Sequence, residues 1–90
     1  MKWYVYIVEA RDGSLYTGIT TNVKRRITEH NNDNIKGAKS LRPKRPVILK
    51  YYEIYSNQTD AAKRERGIKN WKKEYKLKLI KRKKTKGFTQ

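Results

Sequence analysis

The segment WYVYIVEA, residues 3–10, constrains the fold more than any other stretch of this sequence. It is rich in β-branched and aromatic residues, and it is apolar at the even positions 4 to 8 as well as at the odd positions 3 to 7. A strand with this pattern is covered on both of its faces. We therefore expect a central strand that lies between two layers of other elements.

The residues RDGS supply a turn after this strand, and SLYTG gives a short partner strand, so residues 3–18 are predicted to form a hairpin. A two-residue loop of Asp12 and Gly13 would put Tyr6 and Tyr16 on opposite faces. A three-residue loop, 11–13, with Gly13 in the left-handed conformation, sets Tyr16 diagonal to Tyr6 on one face. A shared tyrosine site requires the longer loop; otherwise both tyrosines are ordinary strand aromatics.

The next segment, TNVKRRITEHNN, begins with two good N-caps, Thr21 and Asn22, and its apolar spacing predicts a helix over 22–31. Residues 32–45 have no apolar period and are predicted to form a basic loop. PVILKYYEIY, residues 46–55, is typical of a third strand.

The C-terminal third is predicted to be helical. Ser56 and Thr59 are candidate caps for a helix over about 59–70, and another helix follows a break near Asn70. The resulting order, β-β-α-β-α-α, predicts the α+β class, with a three-stranded, largely antiparallel sheet flanked by helices. We expect one domain over residues 1–80 and a disordered basic tail over residues 81–90.

The charge of the chain indicates a polyanionic partner. Lys and Arg number 24 against 8 Asp and Glu, a formal charge of +16. Nucleic acid is the leading partner, ahead of a membrane surface or an acidic protein. The absence of cysteine excludes thiolate chemistry, and one histidine excludes a His-rich metal cluster. Without a long apolar run we expect a cytoplasmic protein that has no membrane partner and is a monomer.

Three charged or polar side chains fall on helical stripes that should be apolar. Glu65 shares a stripe with Ala61 and Ile68, and Arg26 and His30 share the apolar stripe of the first helix. Each of them alone is compatible with a structural role, such as a salt bridge at the edge of the buried face. Together, in so small a domain, they suggest a polar pocket.

These residues resemble a known family. YVY (Tyr4 to Tyr6) stands ten residues before YTG (Tyr16 to Gly18), and NVKRR with Arg26 and KRERGIK with Glu65 follow. In order and spacing the set resembles the GIY-YIG nuclease domain over about residues 3–70, and the chain is most similar to small bacterial stand-alone members. The resemblance implies a three-stranded antiparallel sheet with helices, and an endonuclease that cuts phosphodiester bonds in DNA with one divalent metal ion.

The resemblance also implies roles for individual residues. Glu65 would hold Mg²⁺ or Mn²⁺, and Arg26 would brace the phosphate. Tyr6 would be the general base and Tyr16 would help to orient the nucleophile. A tyrosine base requires nearby positive charge to lower its pKa, or a metal that shares the work. His30, in EHNN, would contact the phosphate or relay the proton.

The chain departs from the family pattern at four positions, one of which is Val5 in place of isoleucine in the first motif. The first motif has Tyr4 where the family name has glycine, the second has Thr17 in place of isoleucine, and Ile19 stands where some members have a lysine. The missing lysine removes one phosphate contact, so cutting is expected to be weak or to depend on Lys36 or Lys39.

Backbone phosphates are expected to contact the basic loop 36–45, the helices after Thr59, the tail and basic residues of the first helix, without reading base sequence. DNA is favoured over RNA. The alternatives are a DNA- or RNA-binding protein without catalysis and a basic module that docks on an acidic protein. The predicted contact residues are Lys24, Arg25, Lys36, Lys39, Arg42, Lys44, Arg45 and Lys69.

Overall fold

Strands and helices follow one another in the predicted order. A computed structural model describes residues 1–87, with side chains through residue 82. This order confirms the α+β class and the β-β-α-β-α-α arrangement. The elements are β1 (Trp3–Glu9), β2 (Leu15–Thr20), α1 (Val23–Asn32), a 3₁₀ helix (Lys39–Lys44), β3 (Ile48–Tyr55), α2 (Gln58–Lys69) and α3 (Lys73–Gly87).

The sheet has the order β2-β1-β3 with both pairs antiparallel, so β1 is central as predicted. Val5 and Ile7 point to a core that α2 and α3 complete. Tyr6 and Val8 point to the other face, where they pack with residues of α1 and the 3₁₀ helix. All four of these side chains are buried, because each face of β1 is covered.

The register of the hairpin confirms the three-residue loop. Val8 pairs with Tyr16, and Tyr6 pairs with Gly18. Gly13 has a φ of +87°, the left-handed conformation that this loop requires. Tyr6 and Tyr16 therefore share the face of the sheet that α1 covers.

Asparagine caps both helices that flank the last strand. The Asn22 side chain accepts a hydrogen bond from the Arg25 N–H at 2.9 Å, as predicted for α1. The predicted caps of α2, Ser56 and Thr59, are wrong. The helix begins one residue earlier than expected, and the Asn57 side chain accepts from the Asp60 N–H at 2.9 Å.

The segment predicted as a basic loop contains the 3₁₀ helix. Its one apolar side chain, Leu41, is buried with the residues on the α1 side of the sheet. A helical period cannot be read from a single apolar residue, so the sequence gives no sign of this 3₁₀ helix. The third strand begins at Ile48, two residues later than predicted, because the backbone of Val47 is hydrogen-bonded to the Asn31 side chain.

The last helix continues beyond the predicted domain boundary. Residues 81–87 belong to α3, where the sequence predicts a disordered tail; residues 88–90 lie outside the described residues. Lys and Arg are good helix formers, and buried Ile80 anchors the helix just before this segment. No helix within residues 1–87 is long and apolar enough to cross a membrane.

A polar network joins β3 to α2 on the side opposite the tyrosine pair. The Glu53 carboxylate accepts two hydrogen bonds from the Arg64 guanidinium, both at 2.9 Å, and others from the Tyr51 and Tyr55 hydroxyls. Burial opposes ionisation, but these donors hold the pKa of Glu53 below its usual value. The Arg64 guanidinium also lies over the Trp71 ring, 5.2 Å from its centroid. The network fixes the rotation of α2 relative to the sheet.

We expect Glu53→Gln to lower the free energy of unfolding by about 2 kcal/mol. The amide NH₂ group cannot accept a hydrogen bond, so one N–H of the Arg64 guanidinium loses its acceptor. Urea denaturation of both proteins at neutral pH measures the change. Glu74→Gln, at an exposed position of α3, is the control and should change stability little. An equal effect of both substitutions would contradict the role of the network.

Candidate active site

Tyr6 and His30 form the floor of a polar site on the α1 side of the sheet. Their side chains are 1% and 0% exposed. The Tyr6 hydroxyl and His30 Nε2 are 2.7 Å apart, and His30 Nδ1 lies 3.1 Å from the Ala38 backbone nitrogen. Burial and then the Arg26 charge lower the pKa of His30 to about 4, so the ring is neutral near neutral pH.

The proton of His30 can be assigned from these contacts. A backbone N–H is a donor only, so Nδ1 accepts the bond from Ala38 and carries no proton. In a neutral ring the proton then resides on Nε2, and Nε2–H donates to the Tyr6 oxygen. This bond holds the phenol oxygen in place and leaves the tyrosine's own proton free to point elsewhere.

Because His30 is the single histidine of the chain, its state can be read directly by NMR. We expect a neutral ring protonated at Nε2, with no titration between about pH 8 and pH 5, since its pKa lies near 4. The unfolded chain takes up the proton near pH 6.5, which the folded protein does not. The free energy of unfolding should therefore fall by about 2 kcal/mol as the pH drops from 8 to 5.

Long-range ¹⁵N–¹H correlation of the imidazole ring measures the tautomer and the titration midpoint. Protonation at Nδ1, or a midpoint near 6.5, would contradict the assignment. Carboxylates such as Glu53 also lose stabilisation in acid. The histidine contribution is therefore the part of the pH dependence between about pH 6.5 and pH 5, where free carboxylates remain ionised.

Strand β2 contributes Tyr16 and Gly18. The Tyr16 ring centroid lies 5.3 Å from that of His30 and 6.4 Å from that of Tyr6, so the three rings form one cluster. Gly18 leaves the space that Tyr6 occupies, because a Cβ atom at position 18 would lie 2.5 Å from the Tyr6 hydroxyl oxygen. The glycine of YTG is thus part of the site.

Arg26 lies at the mouth of the site, with 24% of its side chain exposed. Its Nη1 donates to the Glu29 carboxylate at 2.9 Å and to the Lys36 carbonyl oxygen at 2.6 Å. The guanidinium is therefore braced from α1 and from the following loop. It is also close enough to lower the pKa of Tyr6.

Glu65 lies on α2, and its negative charge acts to raise the pKa of Tyr6. Its side chain is 18% exposed and lies 3.5 Å from the Lys69 Nζ. No group of three or more His, Asp or Glu side chains in the described part of the chain is arranged to hold a metal ion. A cation at Glu65 therefore fits only if phosphate oxygens and waters complete its ligands, which Mg²⁺ accepts readily.

The electrostatics of Tyr6 correct one expectation. The sequence suggests that basic surroundings lower the pKa of this tyrosine, but the net effect is the reverse. Burial and then Tyr16 raise the pKa of Tyr6, and together with Glu65 they outweigh Arg26, which lowers it. Of the two conditions for a tyrosine base, only help from a bound cation remains.

The structure also argues against the role suggested for His30, which was to contact the phosphate or to relay the proton. Its ring is fully buried and both of its nitrogens are hydrogen-bonded inside the protein. It holds Tyr6 and is not positioned to contact a phosphate or to accept the tyrosine proton.

The predicted phosphate-contacting residues differ in how available their side chains are to a ligand. Two of them flank the site. The backbone carbonyl of Lys36 accepts a hydrogen bond from Arg26, and the Lys69 side chain forms an ion pair with Glu65. The Arg45 guanidinium is used within the protein, where it donates to the His30 and Asp33 carbonyl oxygens and to the Asn34 side chain. The exposed members, available to a ligand, are Lys24, Arg25, Lys36, Lys39 and Lys69, whereas Arg42 and Lys44 are half-buried.

A family model described as the GIY-YIG catalytic domain matches residues 2–84. The chain belongs to the GIY-YIG family. It is 52% identical over 79 residues to a UPF0213 protein of Desulfotalea psychrophila, covering 88% of this chain and 71% of that protein. It is 51% identical to a UPF0213 protein of Staphylococcus haemolyticus, covering 88% of this chain and 94% of that one.

A solved structure supports the same assignment. The GIY-YIG domain described here superposes with a TM-score of 0.59 on the solution NMR structure of a UPF0213 protein from Bacillus halodurans. The two are 38% identical, and the match covers 92% of this chain and 86% of that one. The relatives are small bacterial proteins, and the GIY-YIG domain places this chain in a nuclease family; the name UPF0213 specifies neither a reaction nor a substrate.

Sequence reasoning missed the groups that support the site. Glu29 and the Lys36 carbonyl brace Arg26, and the Ala38 N–H sets the histidine tautomer. Backbone groups leave no residue signature, so two of the three had no signal to find. Glu29 lies three residues after Arg26 on a helix, a spacing that predicts an ion pair.

Proposed function

We propose that this GIY-YIG domain is a metal-dependent endonuclease that hydrolyses phosphodiester bonds in DNA. The observation that carries the proposal is the convergence of three chain segments on one hydroxyl group. The charges of Arg26 from α1 and Glu65 from α2 both act on Tyr6 of β1, whose oxygen accepts a hydrogen bond from His30. A structural tyrosine needs no such set of neighbours.

The residues divide the work of hydrolysis between them. Arg26 binds the phosphate with its remaining N–H groups and compensates the charge that develops at phosphorus. In its phenolate form Tyr6 takes the proton of the attacking water, whose oxygen bonds to phosphorus. The bond to the leaving sugar oxygen breaks, and that oxygen takes a proton from solvent. The His30 Nε2–H and the Arg26 charge both stabilise that phenolate. Tyr16 borders the space where the water binds.

Glu65 would hold one Mg²⁺ or Mn²⁺ ion, which when bound neutralises phosphate charge and makes a coordinated water more acidic. The raised pKa of Tyr6 supports this need, because without a cation the phenolate is scarce at neutral pH. Lys69 forms an ion pair with Glu65 that partly balances its charge. Lys36 lies beside Arg26 and would supply the phosphate contact that a lysine at position 19 makes in some members of the family. In this chain position 19 is Ile19, which packs against the core on the opposite face of the sheet.

The experiment compares cutting of labelled single-stranded, duplex, flap and branched DNA with Mg²⁺, with Mn²⁺ or with a chelator. Glu65→Ala is expected to slow metal-dependent cutting about 100-fold while DNA binding is kept, because the basic surface is untouched. Glu74→Ala removes an exposed carboxylate of α3 and is the matched control. Full cutting by Glu65→Ala would contradict the proposal.

DNA or RNA binding without catalysis is the second candidate. The burial of Tyr6, which is 1% exposed, favours it, because a catalytic hydroxyl has to be reached by the attacking water. Tight, salt-dependent binding with no cutting of any substrate by the intact protein would establish this alternative.

A further inference from the structure

A groove with aromatic walls runs beside the site on the same face of the sheet. It has a volume of about 710 Å³ and lies between α1 and strands β1 and β3. Tyr4 and Tyr52 lie on its sheet side, with ring centroids 6.0 Å apart in an edge-to-face arrangement. Ile54, which is 52% exposed, extends the apolar surface, and exposed Lys24 stands on the α1 side.

The groove is adjacent to the candidate active site along the sheet. Tyr4 lies two residues before Tyr6 on β1, so both side chains project from the same face. Tyr52 is paired directly with Tyr6 across the β1 and β3 ladder. The Tyr4 ring stands at the position where the name of the family has glycine, so this wall of the groove belongs to the departure from the family pattern.

The chemistry of the groove fits the base of an unpaired nucleotide. Aromatic and aliphatic walls bind the flat apolar faces of bases, and a lysine at the rim suits the adjoining phosphate. In a duplex those faces are stacked and covered, so only an unpaired base has them available. A second copy of this chain is a poor occupant, because two molecules that each carry a charge of +16 repel one another.

We propose that the groove binds an unpaired base of the DNA strand next to the phosphate that is cut. The domain would then prefer single-stranded DNA, or the unpaired segments of branched DNA, over continuous duplex. This inference rests on the proposed function for the position of the cut, but the base-binding site itself can be tested without any cutting.

Fluorescence anisotropy in chelator tests the site with a labelled DNA strand and the same strand built entirely from abasic sugar phosphates. Stacking of one base should make the intact protein bind the normal strand about 5- to 150-fold more tightly than the abasic one. The variant with Tyr4→Leu and Tyr52→Leu keeps apolar side chains at both positions and leaves the net charge unchanged, but it should lose most of this ratio. Tyr75→Leu removes an exposed tyrosine of α3 and should keep it.

A second measurement uses only the intact protein, so it does not depend on how well the leucine variant folds. The ring resonances of Tyr4 and Tyr52 should shift when the normal strand is added and should not shift with the abasic strand, because a stacked base changes the local magnetic field.

Equal affinity for the two strands would overturn the inference. The inference would also be overturned if the leucine variant kept the preference for the normal strand over the abasic strand and Tyr75→Leu lost it. That result would place base stacking on α3. Self-association of the intact protein that disappears in the leucine variant would mean that a second copy covers the groove. If no substrate is cut but the base preference depends on Tyr4 and Tyr52, the proposed hydrolysis fails and the base-binding site stands.

Discussion

Tyr6→Phe is expected to slow metal-dependent cleavage by about 100- to 10,000-fold, the range that a positioned acid or base contributes. The substitution removes a single oxygen atom and keeps the ring that fills the space between β1 and α1. It also leaves the His30 Nε2–H buried without an acceptor, so the free energy of unfolding should fall by about 1–3 kcal/mol. Single-turnover cleavage and urea denaturation measure the two effects.

The pH dependence separates a base from a packing residue. Below the raised pKa of Tyr6 the phenolate fraction grows with pH, so the cleavage rate of the intact protein should rise between about pH 6 and pH 9 without reaching a plateau. The Phe variant should lose most of this rise. Tyr75→Phe, on the exposed face of α3, is the control and should cut like the intact protein. A Phe variant with full activity would return Tyr6 to a structural role.

Gly18→Ala is expected to affect the site as severely as the loss of the hydroxyl itself. The new methyl carbon would lie 2.5 Å from the Tyr6 hydroxyl oxygen and 2.7 Å from Cζ, distances that unbonded atoms do not tolerate. The ring must shift, and with it the hydroxyl moves out of line with His30, Arg26 and Glu65. Cleavage should fall about 100-fold, because small displacements of reacting groups are costly, and stability should fall by about 1–3 kcal/mol.

Gly67→Ala is the matched control, because it adds the same methyl group where nothing lies within 4 Å. Gly67 is inside α2, so alanine should raise the free energy of unfolding by up to about 1 kcal/mol and leave cleavage unchanged. Cleavage assays and urea denaturation of both variants give the comparison. If Gly18→Ala cuts as fast as Gly67→Ala, the position of the Tyr6 hydroxyl does not matter for the reaction.

The network around Glu53 links the stability of the fold to the position of Glu65. Arg64, which pairs with Glu53, is the residue immediately before Glu65 on α2. Because the two guanidinium bonds restrain the rotation of the helix, they also restrain the direction in which Glu65, the next residue, projects from α2. The sequence shows Glu65 as an exception on an apolar stripe, but it does not show this neighbour that holds the stripe in place.

The sequence by itself determined the strands and the α-helices, and it singled out the candidate site residues. The double apolar pattern of β1 requires cover on both faces. The sequence left two loop lengths open, and the register of the hairpin and the φ of Gly13 then showed that Tyr16 shares a face with Tyr6. The helical spacing of Arg26, His30 and Glu65 marks them as exceptions. These are properties of neighbouring residues, since strand period, turn geometry and helix period are all local, and so a sequence can carry them.

The tertiary structure decided what each of those residues can do. The Ala38 N–H, eight residues beyond His30, determines which ring nitrogen carries the proton, and burial rather than nearby positive charge controls the pKa of Tyr6. Arg45, expected at a phosphate, is bonded to the end of α1. Each outcome depends on contacts between segments that folding brings together, and on the water that those contacts exclude. No local pattern encodes either of them.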